Sequence, residues 1–332
     1  MISYFFKNAE GNYGKLLLAI FLGTLTILSS VGLMGVSAYL IILAGFHPSL
    51  AVLQIPIVGV RVFGISRSFF RYLERLSSHN SNFELVGKIR LRIFDNLSNN
   101  FSKIMDRYSS SEIFAFITAD MERIENLFIR IIFPWAVAFT TSILVGLFFG
   151  LQSLEIAFIY LSGIVITTVL IPFLSIRKGK ITKIEVGSAE NEFLLAIINF
   201  YQFLGEAKFY QIESKLTKDL SDNEIKLYSK QRIDNRWEAI WNGLTFLFTQ
   251  MVFLLLLFVS ASLVNDGKLE SIFVGVISLA ALASFEIISN LSANSYHIQE
   301  IKTSIDRLSE IQEFQKESKE LSFEPVSEIF PI

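Results

Sequence analysis

The sequence predicts an all-α membrane protein with six spanning helices and long helical extensions outside the membrane. Hydrophobic residues make up 52% of the 332 positions, the mean hydropathy is +0.50, and six apolar stretches are long enough to cross a hydrocarbon core of ~30 Å. Charged residues nevertheless account for 18% of the chain, which is too many for a protein made only of spans. The charged remainder is therefore expected to form helices in water.

Composition excludes several kinds of site. The chain contains no cysteine, so disulfides, thiolate metal sites, Cys-ligated iron–sulfur clusters and cysteine nucleophiles are excluded. A formal net charge of −2 gives no reason to expect nucleic-acid binding. The first residues include Lys7 and Glu10 and lead into an apolar run much longer than that of a cleavable signal peptide. We therefore expect the first span to be retained as an anchor.

Short turns are expected to join the spans on one side of the membrane. Turn residues occur at 45–48, 152–153 and 265–268, and Pro172 is expected to kink the fourth span. The six spans are predicted at about 15–44, 49–72, 131–151, 154–176, 241–264 and 271–291.

The two longer connections are predicted to be helices that project into water and return. The helix of span 2 should continue to about Asn99, and the connection after span 4 should reverse within 205–221. A charged helix is also expected to follow span 6 to about Lys319. Long paired helices of this kind are typical of ATP-binding-cassette (ABC) exporters, in which a cytoplasmic motor pushes on their turns.

The distribution of basic residues predicts the orientation. Lys and Arg concentrate in the two long connections, whereas the three short loops contribute only Lys268. By the positive-inside rule, both termini and both long connections are expected to be cytoplasmic.

A basic stripe runs along the helix of span 2 and its extension. Residues four apart lie on one slowly turning face of a helix, and a lipid-facing Arg near the bilayer centre costs ~2.5–3.5 kcal/mol. The stripe is therefore expected to face water, protein or an anionic ligand. Its side chains either pair with Glu74 or lipid phosphates at the interface, or form a cationic pocket for carboxylates. The stripe comprises Arg67, Arg71, Arg75 and His79.

Two further features lie deeper in the predicted spans. Arg61 favours a water-filled cavity inside the protein. Glu286, Asn290 and Asn294 repeat at four-residue spacing, with His297 near the same face. Glu286 is either a functional carboxylate that pairs with Arg61, or part of a hydrogen-bond network between helices.

Four segments resemble the transmembrane half of CydC-type subunits in CydDC-type ABC exporters. They are VGLMGVSAYLIILA, PIVGVRVFGISRSFFRYLERLSSHNSNFELVGKIRLRIFDNL, ITADMERIENLFIRIIFP and ALASFEIISN. The R-Y-x-E-R-L-x-S-H core is the most specific of them, and A-D-x-x-x-x-E-N-L is common across ABC exporters. The resemblance covers roughly 17–311 and implies the six-helix fold of a type 1 exporter transmembrane domain.

The resemblance also implies a function. The exporters of this family are heterodimers in the bacterial inner membrane that export cysteine and glutathione. Each pairs a CydC-like with a CydD-like subunit, and they are associated with cytochrome bd assembly. Their membrane domain is reported to bind haem, and the haem-linked histidine and the preceding arginine fall on His79 and Arg75. ATP and Mg²⁺ are used only through nucleotide-binding domains.

This sequence departs from the family in two places. Ala38 and Tyr39 stand where the family often has Gly-Trp. No G-x-x-x-x-G-K-[ST] phosphate-binding loop occurs. We therefore expect a transmembrane domain at 1–312 and a linker at 313–332 towards a nucleotide-binding domain that is either truncated or on another chain, and no ATP hydrolysis by this chain alone.

The sequence thus favours an exporter subunit for small anionic thiols, in which ATPase domains push on turns near 103–110 and 205–221. A haem-binding redox or sensor subunit without transport activity is the alternative, and a membrane-bound enzyme has no motif in its favour. The candidate haem-binding residues are His79 and Arg75. The candidate substrate-binding residues are Arg61, Arg67, Arg71, Glu286 and Asn290.

Overall fold

The computed structural model describes residues 13–106, 108, 113, 116–288 and 291–308. Within these ranges every regular element is a helix, which confirms the predicted all-α fold. The helices, numbered in chain order, are α1 Tyr13–Gly45, α2 Leu50–Asn99, α3 Phe101–Met105, α4 Met121–Gln152, α5 Leu154–Phe209, α6 Glu213–Asn265, α7 Ile272–Ser284, α8 Leu291–Tyr296 and α9 298–308.

Six helical segments of the described chain are long and apolar enough to cross a membrane, which confirms the predicted multi-pass membrane protein. They are α1, α2, α4, α5, α6 and the segment Ile272–Tyr296, which contains α7 and α8. Helix α6 has 53 residues, so at ~1.5 Å per residue it is about 80 Å long. Since a hydrocarbon core is only ~30 Å thick, much of α6 lies outside it, as predicted.

The described residues form two compact units. Of the described residues, one unit takes those within 13–29, 62–137 and 300–308, and the other takes those within 30–61 and 138–299. In the second unit, helices α5 and α6 run antiparallel: Lys183 contacts Asp234 and Lys230 contacts Glu185. Residue numbers therefore rise along one helix as they fall along the other.

The chain reverses between α5 and α6 at 210–212, where Gln211 has a φ of 57°. This position lies inside the interval 205–221, so the predicted reversal is confirmed. The turn after α6 at 265–268 is also confirmed. There Gly267 has a φ of 70°, which costs a glycine little because it has no Cβ, and the Lys268 N–H donates to the Leu263 carbonyl at 2.9 Å.

Three π-helical turns adjoin or interrupt the longer helices. They are Phe116–Asp120, Phe128–Ile132 and Ile166–Leu170. The third stands directly before Ile171 and Pro172, where a kink was predicted. Proline has no N–H to donate, and the π turn changes the hydrogen-bond pattern just before this missing donor.

The sixth span, predicted at about 271–291, is interrupted in the structure. The charged helix predicted after it is present as α9 at 298–308, and its predicted continuation to Lys319 lies outside the described residues. The α-helix stops at Ser284, a 3₁₀ turn follows at Phe285–Ile287, and a further turn occurs at His297. The Ser284 hydroxyl donates to the Ala281 carbonyl at 2.7 Å, and the Phe285 N–H is shared among several carbonyls of the last α turn. The predicted linker at 313–332 lies outside the described residues.

Candidate functional site

The predicted basic stripe lies on one uninterrupted helix, α2. Arg67 and Arg71 are half-buried, whereas Arg75 and His79 are exposed. Glu74 lies half-buried within the stripe, near Arg71, Arg75 and His79. The stripe thus contains one carboxyl group among its basic side chains.

The membrane-crossing part of α2 is almost uncovered within this chain. Only 6% of its most apolar window is buried, against 44% in each of α1, α4 and α5. Arg61 lies in the predicted span of α2 with an exposed side chain, and no hydrogen bond or ion pair joins it to another described residue. Because a lipid-facing Arg is costly, this side chain requires water or a second protein beside it.

Glu286 lies in the 3₁₀ turn at the break of the sixth span. Its side chain is exposed, and the Ser30 hydroxyl donates to its Oε2 at 3.0 Å. Of the two alternatives for Glu286, the structure contains a hydrogen bond between helices, to Ser30 of α1, and no ion pair with Arg61 among the described residues. Asn290 lies outside the described residues. His297 contacts Glu238 instead, with 3.4 Å between Nε2 and Oε2.

The residues suggested for haem do not form a haem pocket by themselves. His79 is exposed, and its ring packs beside Phe83 with 6.0 Å between the ring centroids. An apolar groove of about 440 Å³ in the same unit is lined by Gly87, Leu91 and Phe94 among others, and His79 does not line it. No group of three or more His, Asp or Glu residues within the described part of the chain is placed to hold a metal ion. Haem ligation by His79 and Arg75 stays a prediction of the resemblance.

Sequence reasoning missed a buried ionic cluster between α5, α6 and α8. The Lys183 ammonium donates to Asp234 Oδ2 at 2.7 Å, and the two side chains are 6% and 7% exposed. The Tyr296 hydroxyl donates to Asp234 Oδ1 at 2.7 Å and also contacts the Thr182 hydroxyl. Each charged group thus has a partner, which a buried charge requires. No local pattern in the sequence marks this cluster, because the two charged residues, Lys183 and Asp234, are 51 residues apart.

Other polar contacts hold α8 against the same two helices. The Ser175 hydroxyl of α5 donates to the Ser292 carbonyl at 2.9 Å, and the Thr245 hydroxyl of α6 contacts the Ser292 hydroxyl at 2.8 Å. A Cβ added to Gly179 would lie 2.4 Å from the Tyr296 carbonyl oxygen. The segment after the break is therefore fixed by hydrogen bonds and by one close backbone approach.

A second buried carboxylate lies in the first unit. Asp120 is 1% exposed and belongs to the A-D-x-x-x-x-E-N-L segment. It accepts hydrogen bonds from the Ser304 hydroxyl at 2.6 Å and from Arg123 at 3.0 Å. Arg307 lies 3.8 Å from its other oxygen. This cluster ties the start of α4 to α9.

The turn between α5 and α6 ends in an exposed apolar surface, which we call the hairpin tip (201–219). A cavity of about 330 Å³ opens there, lined by Phe203, Tyr210 and Leu216 among others. Lys226 donates to Glu192 farther along the two helices, and this bond lowers the pKa of the Glu192 carboxyl. The exposed apolar side chains of the tip are Tyr201, Phe203, Phe209, Tyr210 and Ile212. The other turn predicted to contact an ATPase domain is 103–110. Several of its residues, and the side chain of Lys103, lie outside the described part of the chain.

Comparison with known proteins gives a consistent result. No family model matches the chain. It is 25% identical over 301 residues to the Escherichia coli (strain K12) glutathione/L-cysteine transport system ATP-binding/permease protein CydC, a match that covers 89% of this chain and 52% of that protein. The corresponding CydD protein of Bacillus subtilis (strain 168) is 26% identical over 319 residues, covering 94% of this chain and 54% of that protein.

The chain is similar over about nine-tenths of its length to CydC and CydD transport proteins. CydC of Haemophilus influenzae matches in the same way, with 24% identity over 90% of this chain and 52% of the relative. The chain thus spans about half the length of the curated relatives that it matches. This similarity and the six apolar helices agree with the all-α ABC exporter transmembrane fold that the resemblance in the sequence implies.

Proposed function

We propose that this chain is the membrane-spanning part of an ABC exporter subunit that moves cysteine or glutathione-like thiols out of the cytoplasm. The observation that carries the proposal is the α5–α6 hairpin. Its helices are far longer than a bilayer requires, and its tip exposes a cluster of aromatic and apolar side chains around a cavity. Such a tip on paired rigid helices is suited to receive force from an ATPase domain outside the membrane.

A CydD-like half-transporter is the proposed partner. Two observations support a second subunit: the uncovered span of α2 and the exposed Arg61 within it. A partner or a shared water-filled cavity beside α2 would relieve the cost of exposing an arginine to lipid. The relatives' names describe both ATP-binding and permease functions, and the ATP and Mg²⁺ chemistry is assigned to nucleotide-binding domains of the assembled transporter.

The proposed substrate contacts come from basic side chains on α2 and from a carboxylate and an amide in the sixth span. Arg61, Arg67 and Arg71 on α2 supply guanidinium groups, which match carboxylates with two parallel hydrogen bonds. Glu286 and Asn290 are proposed to contact the substrate from the sixth span. The assembled exporter is proposed to lie in the bacterial inner membrane with both termini cytoplasmic, and to support cytochrome bd assembly, as the resemblance implies.

The test is ATP-driven uptake of L-cysteine by everted membrane vesicles that contain the chain together with a CydD-like partner and the ATPase domains. Arg71→Glu should abolish uptake, because a carboxylate would then face the substrate carboxylate, while the amount of inserted protein stays unchanged. Arg232→Glu is the matched control, since Arg232 is exposed on α6, and it should retain uptake.

Two results would contradict the proposal in different ways. A wild-type assembly that hydrolyses ATP but accumulates no thiol would rule out thiol export. Unchanged uptake in Arg71→Glu would leave export standing and remove the assignment of the arginines.

A further inference from the structure

The break in the sixth span places a carboxylate at the end of a helix. Helix α7 ends at Ser284, and Glu286 follows in the 3₁₀ turn Phe285–Ile287. Its neighbours Phe285 and Ile288 are 4% and 0% exposed, whereas the Glu286 side chain is exposed. The turn therefore packs its apolar residues inward and presents the carboxylate at the surface of this unit.

The electrostatics of this position favour a cation. The carboxylate of Glu286 places a full negative charge at this break, next to the C-terminal end of α7. In membrane transporters, the C-terminal ends of interrupted helices and their unwound carbonyls commonly coordinate cations. The local field at this break is thus opposite in sign to that of the arginines on α2.

The carboxylate is also held in place. The buried hydroxyl of Ser30 donates to Oε2 at 3.0 Å, which fixes one oxygen and restricts the rotation of the side chain. Helix α1 is itself packed against α7, because Gly35 lies where an added Cβ would be 3.6 Å from Val276. Glu286 is therefore an oriented anion and not a freely moving surface side chain.

We propose that Glu286 binds the ammonium group of an amino-acid thiol, and that it selects substrates with a free amine. The inference rests on the proposed function and deepens it. Cysteine and glutathione each combine a thiol with carboxylate and ammonium groups, and guanidinium groups match only the carboxylates. An oriented carboxylate at a helix C-terminus supplies the complementary group for the ammonium.

The experiment compares L-cysteine with N-acetyl-L-cysteine, which keeps the thiol and carboxylate but has no ammonium group. In the vesicle assay, Glu286→Gln should lower L-cysteine uptake by roughly tenfold, the effect of losing one charged hydrogen bond. Uptake of N-acetyl-L-cysteine should change little, so the preference for the free amine falls by the same factor. Glu286→Asp, which keeps the charge, should restore part of the preference.

The control is Glu224→Gln, the same chemical change at an exposed position of α6, and it should leave the preference unchanged. Equilibrium binding of the two radiolabelled thiols to the purified assembly gives the same ratio without transport, so failure of export and failure of amine recognition are distinguished. The inference is overturned if the wild type does not prefer the free amine, or if Glu286→Gln weakens both thiols equally or neither.

Discussion

The ammonium of Lys183 lies 2.7 Å from a carboxylate oxygen of Asp234, and both side chains are almost fully buried. The pair joins the two helices of the α5–α6 hairpin, and the Tyr296 hydroxyl adds α8 to the same carboxylate. Such a pair contributes less to stability than its short distance suggests, because both charges have lost their hydration. Replacing one residue of the pair should therefore change the stability far more than replacing both.

Single replacements in the pair should be strongly destabilising. Lys183→Met leaves the Asp234 charge buried without its partner, which is expected to cost about 3–5 kcal/mol. The double variant Lys183→Met/Asp234→Leu removes both charges and should recover most of that loss. Thermal unfolding in detergent, followed by tryptophan fluorescence, compares the wild type, the two single variants and the double variant. Additive losses in the double variant would show that the two charges do not act as a pair.

Gly179→Ala should also lower the unfolding temperature. The new Cβ would lie 2.4 Å from the Tyr296 carbonyl oxygen, and a backbone atom cannot move aside as a flexible side chain can. Gly187 on the same helix has nothing within 4 Å of an added Cβ, so Gly187→Ala is the matched control. The control should stabilise slightly, by up to ~1 kcal/mol, because alanine favours a helix. Equal stability of the two variants would contradict the close approach of α8 to α5.

The hairpin tip should transmit force from the ATPase. Tyr210→Ser removes an exposed aromatic ring, and we expect the assembled transporter to lose most of its thiol-stimulated ATP hydrolysis while its unfolding temperature is unchanged. Tyr228→Ser is the control, because Tyr210 and Tyr228 are both 68% exposed but Tyr228 lies outside the hairpin tip. If thiol still stimulates ATP hydrolysis fully in Tyr210→Ser, the ATPase domain does not contact the hairpin tip through this residue.

The chain has no cysteine, so its orientation can be read from single introduced thiols. Tyr228→Cys on the hairpin should react with a membrane-impermeant maleimide in everted vesicles and not in intact spheroplasts. Lys268→Cys, in a short loop, should show the reverse, as the positive-inside rule requires. Labelling of both positions from the same side would refute the proposed topology.

Much of the fold was predictable, because spans and their extensions follow from length, hydropathy and charge. The turn at Gly267 was visible as Asn-Asp-Gly-Lys, and the reversal at 210–212 falls within the expected interval. The break in the sixth span was not predictable, since its residues are as apolar as those of a continuous helix. At the break the Ser284 hydroxyl accepts from Tyr160 at 2.9 Å and donates within its own helix, and the first of these contacts joins residues that are distant in the sequence.

The candidate site was predictable only in part. The four-residue spacing of Arg67, Arg71 and Arg75 is a local pattern, and a continuous α2 preserves it. The contacts of Lys183 depend on a partner in another helix, and in the sequence this residue is one base among several after span 4. Likewise, nothing near Glu286 in the sequence indicates Ser30 as its hydrogen-bond donor.

The π turn at Ile166–Leu170 sets the rotational phase between the two ends of α5. A π turn holds an additional residue, so the side chains beyond it are offset by about 100° from the directions that a regular α-helix would give them. If the same residues formed a regular α-helix, Lys183 would rotate away from Asp234. The π turn therefore decides which face of the hairpin's first helix meets the second.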